Sequence, residues 1–169
     1  MPRRAACTFN DAARSPSPTM RNLTCGLASR TTLAASLKVQ AARLGIAAAV
    51  TFAGHRADIP AVLGAIDVLC ISSTYEGTPL ALFEAMASGK AIVSTSVDGC
   101  REVLEDEKTG LLVPPREPAR LAEALGRVLD DGRLRERLAE RAREASRGYD
   151  IGRTVREMEN VYDEVLREL

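Results

Sequence analysis

The chain of 169 residues carries no formal net charge, is 46% hydrophobic and only 4% aromatic. That length suits one domain, able to bury roughly two-thirds of the surface its unfolded chain exposes. The charge balance argues against a general nucleic-acid binder, and no apolar run approaches the roughly 20 residues that span a bilayer, so a soluble globular domain is expected.

Residues 1–30 stand apart from the rest. They hold Arg3, Arg4, Arg14, Arg21 and Arg30 but a single acid, Asp11, and a Ser-Pro stretch around Ser15–Thr19. Low hydrophobicity with one-sided charge predicts an unstructured leader or one foreign to the domain that follows. An Arg-rich, Ser-rich, acid-poor start also has the composition of an organelle transit peptide, whereas the apolar stretch of a secretory signal is missing. Cys7, Cys25, Cys70 and Cys100 show no C-x-x-C spacing, so neither a zinc site nor a disulfide framework is indicated. A reducing cytoplasm is the default compartment. Cys70 lies in an apolar run and is expected in the core. Cys100 follows a glycine in a loop and could be exposed, with no His nearby in sequence to activate it.

From Thr31 the texture changes. Leu33, Leu37, Ala41 and Leu44 recur at helical spacing and stop at Gly45. Ala49–Ala53 reads as a buried strand ending at Gly54. Residues 58–64 can make a short helix with Asp58 as N-cap and Pro60 in its first turn. Val68–Ile71 is a second strand. Residues 79–88 form a helix ended by Gly89, with Thr78 as N-cap. Ala91–Ser94 is a third strand, Arg101–Glu105 a short helix, and Gly110–Val113 a fourth strand closed by Pro114 and Pro115. Continuously apolar strands are buried on both faces, and their alternation with helices predicts a parallel sheet of the doubly wound α/β class. Ligands then belong beyond the carboxyl ends of the strands.

The last third reads as a helical tail. Leu121, Leu125, Val128 and Leu129 form one apolar face; Leu134, Leu138, Ala142 and Ala145 another; Val155, Met158, Val161, Tyr162, Val165 and Leu166 a third. Acids match the arginines on the opposite faces, which predicts solvated helices laced with ion pairs rather than a polyanion site.

The segment Ser72–Ala87 carries the chemistry. It follows a strand and opens a helix, so Gly77 allows a close turn, and free N–H groups with the helix dipole suit a phosphate or sugar hydroxyls. Glu84 falls within the arc of Leu80, Phe83 and Ala87, the face expected to be buried, where a carboxylate is costly unless hydrogen-bonded. Glu76 lies just before the helix. The pair could grip two ends of one polar ligand, carboxylates being suited to vicinal hydroxyls. Equally, Glu76 could cap a neighbouring helix and Glu84 pair with an arginine. The residues alone leave both readings open.

Two glutamates separated by seven residues, Glu76 and Glu84, resemble the E-x7-E motif of the retaining glycosyltransferases of family 4. Six further stretches are similar in order and interval: Val50–Gly54 with Asp58-Ile59-Pro60, Ile66-Asp67-Val68, Gly77–Pro79 running on to Gly89, Ala91–Thr95, Gly99 with Glu102, and Thr109–Pro114. The likeness runs from about residue 31 to the end. It implies a Rossmann-like parallel sheet sandwiched by helices, the C-terminal half of the two-domain GT-B architecture, with residues 31–169 as a partial donor-binding domain. It implies transfer of a sugar from a nucleotide-diphosphate sugar to an acceptor hydroxyl with retention, in polysaccharide, glycolipid or cell-envelope biosynthesis. No cofactor beyond that substrate and no essential metal are expected.

Carried over residue by residue, Glu76 is the catalytic-site residue facing hydroxyls of the donor sugar, and Glu84 holds the ribose. The backbone of Gly77, Thr78, Pro79 and Leu80 faces the sugar and diphosphate. Gly54, His55 and Arg56 border the base. The resemblance also locates the acceptor pocket, the family's catalytic histidine and any peripheral membrane association in an N-terminal domain. The family's diphosphate-binding basic pair, and the strand and Gly-Asp-Gly-Pro-type turn that precede the first helix, are not found in residues 1–30. Hence the chain is expected to be truncated. The alternatives are a non-catalytic fragment acting through association, or a sugar-nucleotide epimerase of similar build. A glycosidase fits less well, because its carboxyls must stand about 5–9.5 Å apart across a scissile bond, whereas these flank one helix start.

Overall fold

The structure, a computed structural model, describes residues 5–8, 23–26 and 31–167. In chain order these form β1 (Ala5–Thr8), β2 (Leu23–Gly26), α1 (Thr31–Arg43), β3 (Val50–Phe52), α2 (Ile59–Gly64), β4 (Val68–Ile71) and α3 (Leu80–Ala87). They continue as β5 (Ala91–Thr95), α4 (Asp98–Arg101), β6 (Leu111–Val113), α5 (Pro118–Asp130), α6 (Gly132–Ser146) and α7 (Ile151–Arg167). All strands pair in parallel, in the order β3-β2-β1-β4-β5-β6. The order reverses between β1 and β4, the topological switch point of a doubly wound sheet.

The leader is corrected here. Residues 5–8 form a central strand, with Cys7 opposite Cys25 on one side and Cys70 on the other, and residues 23–26 form the strand next to it. Ala-Ala-Cys-Thr and Leu-Thr-Cys-Gly mix small and polar residues and show no continuous apolar run, yet their backbones complete the ladder between β3 and β4. So a strand does precede α1. The residues that follow it, 27–30, and the remainder of the leader lie outside the described residues.

Both faces of β4, β5 and β6 are covered, as continuous apolar strands require, whereas β3, expected to be buried, is the edge strand of the ladder, with Thr51 exposed and Val50 and Phe52 only half-buried. Val68, Cys70, Ala91, Val93, Leu111 and Val113 point to one side and meet Ala124, Leu125, Val128 and Leu129 of α5 with Leu134 and Leu138 of α6. The alternate residues Leu69, Ile71 and Ile92 point to the other side and meet Leu63 of α2, Leu82, Ala85 and Met86 of α3, and Cys100 of α4. The two-residue period of a strand thus splits one apolar run into two cores. Ala142 of α6 belongs to the second core, so this helix ties the two together.

Local chemistry sets most helix ends. Gly89 has φ +61°, its N–H donates to Met86 O, and Lys90 N–H donates to Ala85 O, the paired bonds of a Schellman cap on α3. Asp58 stands at the N-cap of α2, but its carboxylate makes no cap bond; it is taken by Arg56, whose Nε donates at 2.7 Å. The short helix expected at 101–105 lies earlier, at Asp98–Arg101. Val97 is its N-cap, and Val103 and Leu104 turn into the core after it.

The expected apolar faces of α5 and α6 are buried. That of α7 is not: Ile151, Val155, Met158, Val161, Tyr162, Val165 and Leu166 remain exposed among the described residues. Arg153–Glu157 on this helix and Glu117–Arg120 at the start of α5 are ion pairs of the solvated kind expected.

The α5–α6 corner carries a testable cap. Asp131 accepts the Leu134 N–H at 3.0 Å, and that bond holds its carboxyl below the usual aspartate value. A depressed folded value adds stability above the unfolded value of about 3.9 and forfeits it as pH falls through the folded one. Asp131→Ala should therefore lower Tm at pH 7, and the gap to the parent should begin to narrow below about pH 4 and go on narrowing as pH falls through the folded value. Thermal melts at pH 7 and 3 check this; an equal gap at both would show that the carboxylate is not the cap.

Candidate functional site

Four described loops leave the carboxyl ends of β3, β4, β5 and β6, and the one after β4 borders the switch point. Its sequence, Ser72–Pro79, leaves a core strand and must satisfy its backbone without a partner strand. Two contacts from β5 and α4 do much of this. Thr95, buried at the end of β5, donates through Oγ1 to Ser73 O at 2.6 Å. Gly99, buried in α4, packs so closely on the loop that a Cβ there would fall on the Gly77 carbonyl. The absent side chain is what lets the two loops touch.

Glu76 is half-buried, and Ser73 Oγ donates to its Oε1 at 2.6 Å. It caps no neighbouring helix among the described residues. Gly77 and Thr78 are exposed. Thr78 is not the N-cap; Pro79 is, with extended backbone and no side-chain bond to the helix start. Proline can precede Leu80 in this way because the loop's backbone is already extended there. Leu82 N–H donates to Pro79 O at 3.0 Å, which closes the first turn.

Glu84 corrects the expected burial. The buried face of α3 is Leu82, Ala85 and Met86, while Glu84, Ala87 and Leu80 (76% exposed) lie on the opposite face. At 100° per residue the arc of Leu80, Glu84 and Ala87 is a true stripe, but the sheet lies under the other one. So the carboxylate incurs no burial cost, and among the described residues its side chain pairs with no arginine.

Gly54, His55 and Arg56 follow β3 at the same edge of the sheet and are exposed. Two strands separate β3 from β4, so this loop stands about 14 Å across the sheet, three interstrand spacings of about 4.8 Å. Its arginine is engaged by Asp58. The structure thus brings Glu76, Gly77, Thr78, Pro79 and Leu80 together at one helix start, with Glu84 one turn on, and keeps Gly54–Arg56 at a distance on the same rim.

Cys100 is fully buried rather than open. Burial pushes its thiol up, the nearby Glu76 charge adds to this, and the Ser94 contact opposes it. A thiol held protonated in this way is a poor nucleophile. Among the described residues, no three His, Cys, Asp or Glu side chains gather to hold a metal ion. Also among them, no helix is long and apolar enough to cross a membrane. Sequence reasoning gave no role to Thr95, Ser73 or Gly99. The available signal was a pair of polar residues, Ser94-Thr95, closing an otherwise apolar strand.

The profile of glycosyl transferases group 1 matches residues 13–145. The chain belongs to that family. The match begins inside the stretch expected to be foreign and includes β2. A D-inositol 3-phosphate glycosyltransferase of Salinispora tropica is 35% identical over 130 residues, 76% of this chain and 27% of that protein. An N,N'-diacetylbacillosaminyl-diphospho-undecaprenol alpha-1,3-N-acetylgalactosaminyltransferase of Campylobacter jejuni is 33% identical over 119 residues, 70% of this chain and 32% of that protein. The chain therefore spans about a third of the length of these curated relatives. Among solved structures, Anabaena HepE in complex with UDP superposes with TM-score 0.85 at 23% identity, over 96% of this chain and 49% of that one. The C-terminal domain of a group 1 glycosyltransferase from Francisella tularensis superposes with TM-score 0.69 at 21% identity, over 83% of each. The fold is that of the GT-B glycosyltransferases, with a helical C-terminal tail.

The Gly99 contact predicts an asymmetry between two glycines. Gly99→Ala should lower stability by roughly 1–3 kcal/mol, the cost of overpacking. Gly126→Ala in α5, where a Cβ meets nothing, should raise it by about 0.5–1 kcal/mol. Urea denaturation of both variants reads the difference, and equal effects would disprove the close approach.

Proposed function

We propose that this chain is the donor-binding part of a retaining glycosyltransferase that takes a nucleotide-diphosphate sugar. In the reaction the bond from the anomeric carbon to the diphosphate breaks, and an acceptor hydroxyl oxygen bonds to the same face of the sugar. The single observation that carries the reading is the pinned β4–α3 loop at the switch point, which brings Glu76 to the start of an eight-residue helix with Glu84 exposed one turn on. The helix start favours anionic oxygens, so the diphosphate sits against the backbone of Gly77, Thr78, Pro79 and Leu80. Glu76 accepts from hydroxyls of the donor sugar, and Glu84, paired with no cation among the described residues, accepts from the ribose. Gly54 and His55 border the base across the rim; Arg56 shapes that loop through Asp58. Support also comes from HepE, a fold neighbour whose structure contains UDP.

The acceptor belongs to a second domain, as does any contact with a membrane, in keeping with the half-length match to HepE. The buried free thiol of Cys100 suits a reducing cytoplasm. Neither a metal nor a cofactor beyond the sugar nucleotide enters the scheme. A second reading, a non-catalytic module that acts through association, is favoured by the uncovered apolar face of α7; a clean monomer in size-exclusion chromatography would count against it.

Calorimetric titration with nucleotide sugars and free nucleoside diphosphates tests the first reading. Saturable binding is expected, and none at millimolar ligand by folded protein would overturn it. Glu84→Gln should weaken nucleoside-diphosphate binding by about tenfold to a hundredfold, the worth of a charge-assisted hydrogen bond. An unchanged affinity would remove the ribose role.

A further inference from the structure

The last two residues of β5 are polar in an otherwise apolar core strand, and both are buried. A buried hydroxyl is costly unless it is hydrogen-bonded. Thr95 Oγ1 has one proton to give. Ser73 O lies at 2.6 Å and Ile71 O at 3.4 Å, so the bond goes to Ser73. Ser73 is itself almost fully buried, and its hydroxyl donates to Glu76 Oε1 at 2.6 Å. A rigid strand therefore holds a residue whose side chain holds the carboxylate.

We propose that Thr95 and Ser73 are positioning residues: through the bonds Thr95 Oγ1 to Ser73 O and Ser73 Oγ to Glu76 Oε1, they aim the Glu76 carboxylate at the donor sugar. The inference rests on the donor-site reading above. Without the relay, Glu76 stands on a loop whose own backbone makes no strand ladder, and its carboxylate can turn about its side-chain bonds. With one lone pair of Oε1 taken by Ser73, both lone pairs of Oε2 are left to accept from a sugar hydroxyl. Gly99, packed on the Gly77 carbonyl, blocks the loop from relaxing towards α4. Neither residue touches the diphosphate end of the site, so their effect should be confined to the sugar.

That confinement is the test. Titrations of the full chain use a panel of UDP-, GDP- and ADP-hexoses and the matching free diphosphates. For the nucleotide that binds, Ser73→Ala and Thr95→Val should each lower affinity for the sugar nucleotide by about fivefold to tenfold, the worth of one hydrogen bond. Affinity for the free diphosphate should stay within about twofold. Thr95→Ser, which keeps the hydroxyl, should behave as the parent. In a Glu76→Ala background, which removes the acceptor, Ser73→Ala should add no further loss, because the two act as one unit. If Thr95→Val fails to fold, Ser73→Ala and its cycle with Glu76→Ala decide alone, since Ser73 lies outside the strands. Equal weakening of sugar nucleotide and diphosphate would mean a merely structural role and overturn the proposal, as would unchanged sugar binding. Failure of the parent chain to bind any ligand would instead overturn the donor-site reading beneath it.

Discussion

Strands of a parallel sheet that are buried on both faces, as β4 and β5 are here, meet solvent only at their ends, and the candidate site of this chain follows from that constraint. The alternation of strand side chains sends Val68, Cys70, Ala91 and Val93 to α5 and α6, and Leu69, Ile71 and Ile92 to α2, α3 and α4. With the faces filled, polar chemistry is confined to the loops at the strand ends. At the carboxyl end the reversal of strand order between β1 and β4 opens a crevice. The Ser72–Pro79 loop leaves β4 beside that crevice.

A loop at such a place must be both exposed and held. Exposure comes from the side of α3 turned away from the sheet, where Leu80 and Glu84 lie. Rigidity comes from beneath, where Thr95 and Gly99 of the next β–α unit grip the backbone of Ser73 and Gly77. One contact is a hydrogen bond from a buried hydroxyl and the other a close approach that only glycine permits. Together they convert a flexible connection into a platform whose shape is inherited from the core. Cys100 sits under this platform as packing, and its raised thiol value reflects burial first and the adjoining Glu76 charge after it.

Much of this was legible in the residues. The strands at 68–71, 91–95 and 111–113, the helices of the last third and the loop carrying Glu76 all follow from apolar period, turn residues and caps. Other features were not legible, and for identifiable reasons. Strands β1 and β2 (Ala-Ala-Cys-Thr and Leu-Thr-Cys-Gly) are as long as β4 but lack its continuous run of large apolar residues, and are defined by the neighbours that pair with them. The stripe of Leu80, Glu84 and Ala87 was assigned to the core because its apolar residues are as regular as those opposite. The side taken by the sheet cannot be read from one helix. Likewise the apolar stripe of α7 was evident, but the fold of the described residues leaves it uncovered.

The sequence by itself determined the class of the fold, the position of the candidate site and the spacing of its two carboxylates, because these depend on local period and on neighbours in the chain. Tertiary structure alone decided that the leader supplies a central strand, that Glu84 faces outward and that Cys100 is sealed. It also decided that Thr95 and Gly99, about twenty residues downstream, pin the loop that carries Glu76. Each of these is a contact between segments far apart in sequence, and such contacts exist only once the sheet has chosen which strands stand side by side.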